Sequence, residues 1–428
     1  MAIAAASVFE VRTGGSDNNG GGFVTGASGT DRTLQDTAHA TLTVLSVVNA
    51  TTTIITVSLT DYTVTANDVG NLLQVTGGTA TAGFYQITAV NTGLNLWTLD
   101  RAVGTAGQTV VGAMGGALAS PGKAAKAMTV TGNRTWVKAG TYTMTTSTAG
   151  AAGPLAFVNS VNVSMEGYSS TRGDRAGRPL ISAGAVTTIT MADDGNSSQQ
   201  FLIHLEFDGN NGSGVSGIAW ADNSNVVFDC KVSNCSAASQ SGFSNGSGTG
   251  GNTYKCVAVN CTTGFSSCNV HRSTATGCGT GFGGDWRTIR DCCAYDNTGD
   301  GFAAGGAGDG AVINCTAYSN GGDGFDMAAR AKVLINCVST DNGGYGYNGS
   351  NFALETCAAY NNSSGRAPTS NVIYDIRPVT LTADPFAAAP TDFRPNNTAG
   401  GGALLRGAAL RYFADQRDIG AFQHEHDG

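Results

Sequence analysis

Between residues 230 and 357 the chain repeats one short motif: a Cys, then an Asn or a second Cys five residues later, then a Gly-Phe pair. The clearest copies are CCAYDNTGDGF from Cys292, CTAYSNGGDGF from Cys315 and CVSTDNGGYGY from Cys337. The opening position falls at Cys230, Cys256, Arg272, Cys292, Cys315, Cys337 and Cys357, in steps of 26, 16, 20, 23, 22 and 20 residues. The aromatic position falls at Phe243, Phe265, Phe282, Phe302, Phe325 and Tyr347. A period near 20 residues, made of short strands and Gly/Asn turns without helical periodicity, predicts a solenoid of β-coils.

Side-chain alternation in Cys315-Thr316-Ala317-Tyr318 puts Cys315 and Ala317 on one face, read as interior, and Thr316 and Tyr318 on the other. Asn297, Asn320, Asn342 and Asn362 recur at the fifth position, where Asn suits a left-handed corner between strands. The Gly before each aromatic is expected to let the backbone turn again. Coils stack roughly 4.8 Å apart, so equivalent residues form columns. All eleven cysteines lie in this region. Pairs such as Cys292-Cys293 or Cys230/Cys235 invite a zinc reading, but their spacing is that of the coil and not of converging ligands. They are read as buried, reduced, small hydrophobes, a usage suited to a reducing compartment.

Charged residues make up only 13% of the chain, about half the usual share, and Gly reaches 62, which fits a solenoid with a Ser/Thr/Asn surface. A net charge of −8 without a Lys/Arg run argues against nucleic acid, and no long apolar run predicts a membrane span. The N-terminal residues lack the basic and apolar regions of a secretion signal. The organisation expected is an N-terminal arm and first strand (1–35), a small β-sandwich or barrel (36–114), the solenoid with a short capping helix (115–382) and a C-terminal cap or intersubunit tail (383–428). The second segment, with its own strand runs and no Cys, is expected to be separable. The tail's apolar stretch from Ala403 to Phe413 must dock on the coil end or on a neighbour.

An opening strand with a Gly/Asn loop, a short helix at Pro121–Met128, then Trp136-Val137-Lys138-Ala139-Gly140-Thr141-Tyr142 resembles the entry of pectate-lyase-like proteins. Gly167 to Asp174, Phe201 to Gly209 and Asp418 to Phe422 add to the likeness. The resemblance implies an all-β fold, a right-handed single-stranded parallel β-helix with a helix over its N-terminal end. It implies little about activity, because the fold hosts lyases, hydrolases, adhesins and phage spikes.

Candidate chemistry is sparse. Asp300 and Asp323 lie one coil apart in Gly-Asp-Gly-Phe, and stacking would put their carboxylates about 5 Å apart, compatible with a retaining glycosidase. The competing reading is a turn Asp between glycines, with Tyr345 replacing it in the next coil. His204, Glu206 and Asp208 alternate with Phe201, Ile203, Leu205 and Phe207 and so share an outward face, either catalytic or simply polar. Tyr295, Tyr318 and Tyr360 form an outward column able to touch a sugar or a neighbouring subunit, or reflecting strand propensity alone. Asn-X-Thr/Ser sites such as Asn49-Ala50-Thr51 are assigned no role. No cofactor and no metal are expected.

The function expected is that of a structural, interacting protein of a virus particle: a bacteriophage tail spike, fibre or capsid-decorating protein. It would be a homotrimer assembled in the host cytoplasm, joined to other virion proteins through 36–114 and touching host-surface polysaccharide. The alternatives are a polysaccharide lyase or glycoside hydrolase on the same fold and, next, a bacterial surface adhesin. Enzymatic activity is left open, leaning against it.

Overall fold

The computed structural model describes residues 4–47, 54–56, 61–145, 155–157, 162–184, 192–193, 199–210, 217–220, 225–237, 240–245, 251–305, 310–327, 333–350, 352–367, 373–408 and 420. Asn49-Ala50-Thr51, the second half of the Ala403–Phe413 stretch (409–413) and all of Asp418–Phe422 except Gly420 lie outside them. The chain is a right-handed parallel β-helix carrying a small N-terminal β domain and a C-terminal tail. Two compact units, Met1–Glu206 and Phe207–Gly428, compose it.

In the first unit the strand Ser7–Val11 pairs in parallel with Arg134–Lys138, which pairs with Ser164–Tyr168. On its other edge Ser7–Val11 takes the antiparallel strand Gly22–Val24. The helix Pro121–Ala127 starts at Ser120, whose Oγ accepts the Lys123 N–H, with Pro at the first turn where its missing N–H costs nothing. It buries Ala124 and Ala125, and the adjoining Met128 Sδ receives the Thr135 hydroxyl at 3.2 Å.

Residues 40–114 form a closed six-stranded barrel around Leu42, Leu73, Val75, Ile87, Trp97 and Val110. Its core is its own, but its margin is shared. Gln74 Nε2 donates to the Asp17 carbonyl at 3.0 Å, Asn71 Oδ1 accepts the Arg32 N–H at 3.0 Å, and Phe84 packs edge-on against Phe9. A buried carboxylate, Glu10, holds Arg12 at 3.0 Å and Arg172 at 2.8 Å, and Arg172 reaches Asp31 at 3.0 Å. Burial pushes the Glu10 carboxyl up against the pull of both guanidiniums. The Gly167–Asp174 stretch finishes the strand Ser164–Tyr168 and then turns into a loop closed by Asp174, which accepts the N–H groups of Ser169, Ser170 and Thr171; these bonds hold its carboxyl well below the usual range.

In the second unit three parallel sheets surround one core. One runs from Val226–Phe228 to Ile373–Ile376, one from Lys231–Ser233 to Val379–Thr380, and one from Ile218–Trp220 to Tyr347–Gly349. The aromatic column stands as expected: Phe243, Phe265, Phe282, Phe302, Phe325 and Tyr347 stack with centroids 4.7 to 5.3 Å apart. The preceding glycine acts by close approach, not by turning. A Cβ at Gly281 would lie 2.5 Å from the Gly301 carbonyl oxygen, and one at Gly301 would lie 2.7 Å from that of Gly324.

The eleven cysteines are free and buried. Cys292, Cys315, Cys337 and Cys357 share one interior column, with Cys230 and Cys256 in earlier coils. Arg272 does not belong to it. Ser273 takes the place, its Oγ accepting the Cys256 N–H at 3.0 Å, because the short 16-residue step displaces the register by one. A second column runs from Cys261 and Cys278 into Asn297, Asn320, Asn342 and Asn362, each amide bonded to the next at 2.8 or 2.9 Å.

The left-handed corners fall one residue earlier than the Asn column, at Asn260, Asp296, Ser319, Asp341 and Asn361, with φ between 51° and 58°. A second set precedes the Cys column at Asp229, Lys255, Arg272, Asp291, Asn314 and Asn336.

The described part of the tail packs along the side of the solenoid. The hairpin Phe386–Ala388/Asp392–Pro395 and Leu405 lie on the outer side of the second sheet, packed with Cys293, Val338 and Ala358. Gly420 donates its N–H to the Asn336 carbonyl at 2.9 Å.

Candidate functional site

Four strand ends of the second unit converge on a groove of about 310 Å³ lined by Phe228, Tyr254, Lys255, His271, Arg272, Arg290 and Asp291. The parallel register puts Phe228 opposite Tyr254, Tyr254 opposite His271 and His271 opposite Arg290. These are outward positions, since Val227, Thr253, Val270 and Ile289 between them are buried. The strand then turns through a left-handed residue, Lys255 at φ 54°, Arg272 at 50° and Asp291 at 55°. Three of the coils therefore line the groove with two consecutive side chains, the last of the strand and the corner itself, and the fourth with Phe228.

The Tyr254 and His271 rings stack 4.9 Å apart at 11°. Stacking covers one face of each ring, and the pair also presents its edges, a phenol hydroxyl and an imidazole nitrogen. Lys255 Nζ sits 5.7 Å from the Phe228 ring centroid. Asp291 Oδ2 lies 3.1 Å from Arg290 Nε and 4.0 Å from Arg272 Nε. Burial, helped by Arg290, pushes the His271 pKa below its ordinary value, which keeps the ring neutral at pH 7. The sequence shows this site only as the pairs Tyr254-Lys255, His271-Arg272 and Arg290-Asp291, whose common position emerges once Ser273 replaces Arg272 in the interior column.

Asp300 and Asp323 do stand one coil apart, and their oxygens serve the neighbouring coil. Asp300 Oδ1 accepts the Asp323 N–H at 2.7 Å; Asp323 accepts the Tyr345 N–H at 2.6 Å and the Asn348 amide at 2.7 Å. Tyr295, Tyr318 and Tyr360 do not form the open column expected of them. Phe393 packs 5.4 Å from both Tyr295 and Tyr318, and Tyr360 joins the same cluster, because the C-terminal hairpin lies over them.

His204 leaves the face assigned to it. It is a buried left-handed corner, φ 55°, separating the strands Phe201–Ile203 and Glu206–Asp208. Alternation restarts there, so Leu202, Leu205 and Phe207 are buried while Phe201 and Ile203 are not. Among the described residues no group of three or more His, Cys, Asp or Glu could hold a metal ion, and no helix is long and apolar enough to cross a membrane.

No family model matches the chain, and no curated protein matches it. Among solved structures it is similar to the pectate lyase Pel9A, with 18% identity and a TM-score of 0.42 over 70% of this chain and 90% of that one. It is similar also to the ORF18 protein of Geobacillus virus E2, with 11% identity and a TM-score of 0.41 over 58% of this chain and 52% of that one. A rhamnogalacturonan lyase follows at 16% identity and a TM-score of 0.35, over 58% and 70%. At these values none of them assigns an activity to this chain.

Proposed function

We propose that the protein is a structural, glycan-contacting β-helix of a virus particle, with the solenoid as its stiff body and the groove at Tyr254 and His271 as its contact with host-surface polysaccharide. The observation that carries the glycan contact is the stacked Tyr254–His271 pair, set among long polar side chains in a groove of about 310 Å³. Aromatic surface beside hydrogen-bonding tips suits a sugar, which has both C–H faces and hydroxyls. The virion role is supported by the eleven buried cysteines, none of them in a disulfide, which fit folding in the reducing cytoplasm of an infected cell. Under this reading the barrel of residues 40–114 is the attachment module toward other virion proteins, and the assembled form is a homotrimer.

Titration of the full chain with oligosaccharides from bacterial surface polysaccharides tests the glycan contact. Wild type is expected to bind, and Tyr254→Ala with His271→Ala to abolish binding while the melting curve is retained. Binding that survives the double substitution overturns the assignment.

A second reading, glycan cleavage, is favoured by one feature: a neutral imidazole, His271, beside the Arg290 guanidinium, a base next to a group able to hold developing negative charge. An assay for new reducing ends decides between binding alone and cleavage. Sedimentation of the purified chain tests the trimer.

A further inference from the structure

The groove carries a charge imbalance that its rings do not explain. Lys255, Arg272 and Arg290 line it against a single carboxylate, Asp291, in a chain whose net charge is −8. The cations occur on successive coils, which places like charges roughly 4.8 Å apart along the backbone and makes them repel. Asp291 serves two guanidiniums at once, 3.1 Å from one and 4.0 Å from the other, and Asp229 stands at the corner in register with Lys255, so the carboxylates offset part of that repulsion but remain outnumbered by the cations. His271, neutral at pH 7, adds no charge.

The placement follows from backbone geometry. Lys255 and Arg272 stand at left-handed corners, where Asn, Asp or Gly is the ordinary choice and where Asn260, Asn314 and Asn336 serve elsewhere in the chain. A long cation at a strained corner gains nothing for the fold that Asn would not supply. Arg272 is also well exposed, its side chain 59% accessible, as a ligand contact requires.

We infer that the groove takes the anionic group of an acidic saccharide, a carboxylate, sulfate or phosphate, with Arg272, Arg290 and Lys255 as the residues that recognise it. This rests on the glycan-binding reading above and names its ligand class. The planar guanidinium of each arginine matches two oxygens of such a group, while Lys255 supplies a point charge. The Tyr254–His271 edge meets the sugar ring that carries it.

The test compares an oligogalacturonate, a sulfated dextran oligosaccharide and a neutral dextran oligosaccharide by calorimetry at low and high salt. It uses the full chain, Arg272→Gln, Arg290→Gln and, as an exposed control outside the groove lining, Arg134→Gln. At least one acidic oligomer is expected to bind about tenfold or more tightly than the neutral one at low salt, and salt should narrow the gap. Arg272→Gln and Arg290→Gln should each remove about tenfold of the acidic affinity, leaving neutral affinity and melting temperature unchanged.

Equal binding of neutral and acidic oligomers overturns the inference while leaving glycan binding in place. Acidic binding that is unaffected by both groove substitutions, or equally weakened by Arg134→Gln, overturns it as misplaced or as unspecific charge attraction. Failure of every saccharide to bind removes the glycan reading itself and this inference with it.

Discussion

Asp300 Oδ1 receives the backbone N–H of Asp323 at 2.7 Å, so each of these carboxylates belongs to the coil that follows it. Asp323 does the same for Tyr345 at 2.6 Å. Asn keeps an acceptor oxygen at this position and Ala does not. Asp300→Asn should therefore cost little, whereas Asp323→Ala should cost about 1–3 kcal/mol for the N–H and amide left without a partner. Denaturant melts check both, and any saccharide cleavage should be the same in wild type and in the Asp300→Asn/Asp323→Asn pair.

The pH dependence of that site has a definite sign. Burial, reinforced by the charge of Asp323 and opposed by its N–H, raises the Asp300 carboxyl above its ordinary value of 3.8. The folded chain thus binds this proton more readily than the unfolded one. Between the raised value and the ordinary one, stability from this group increases as pH falls. Wild type should gain on Asp300→Asn as melts are moved down through that window; a difference that stays flat with pH would refute the assignment.

Asn320 is a four-bond node of the amide column. Its Oδ1 accepts the Asn297 N–H at 3.3 Å and the Asn297 amide at 2.8 Å, and its Nδ2 donates to Asn342 at 2.9 Å and to the Ala294 carbonyl at 3.1 Å. Asn320→Ala leaves several buried groups unpartnered and should cost on the order of 3 kcal/mol or more. Asn320→Cys should cost less, since the Cys278 thiol already receives the Cys261 N–H at 3.4 Å in the same column. Equal losses in denaturant melts would contradict the equivalence of the two residue types.

The thiols should be silent in the native protein. Burial pushes those of Cys256 and Cys293 well above the usual range, and no cysteine of the eleven is exposed. A thiol-specific chromogenic reagent at pH 8 should label none of them before denaturant and all eleven after it. Rapid native labelling of one or two would place an opening coil where the structure has a closed one.

The tail shields what the solenoid leaves apolar. Phe393, buried against Tyr295 and Tyr318, should cost about 3 kcal/mol when changed to Ala. A chain ending at Ala383 should expose Tyr295, Tyr318, Tyr360 and Val338 together, bind a hydrophobic dye and self-associate in light scattering. A truncated chain that stays monodisperse and dye-free would mean that this contact is dispensable.

The interior of the solenoid is legible in the sequence because its chemistry is monotonous: Gly-Phe and Cys recur wherever a coil closes, and no other packing explains them. The corners are less so. A left-handed residue can be Asn, Asp, Lys, Arg or His, so its identity does not announce its geometry, and His204 and Arg272 are both misread by alternation alone. The tail shows that it is apolar but not which face receives it, because that contact joins residues about a hundred positions apart, such as Tyr295 and Phe393. The groove is least visible of all. It appears only when four strand ends are set in register, and one wrong residue in a column scatters it.

The junction at Cys278 bears on how a chain of this kind changes length over evolution. Cys278 gives its N–H to Asn297 Oδ1 at 2.9 Å, and its own sulfur receives that of Cys261, so thiol and amide meet at a seam that the backbone does not register. A gain or loss of one whole coil at that seam would keep each corner in place and each acceptor opposite a donor, whereas the loss of a single residue inside a strand would turn the rest of that strand to the other face. Duplication by complete turns is then the cheap genetic step, and the groove, assembled from consecutive turns, would be lengthened or shortened by the same event.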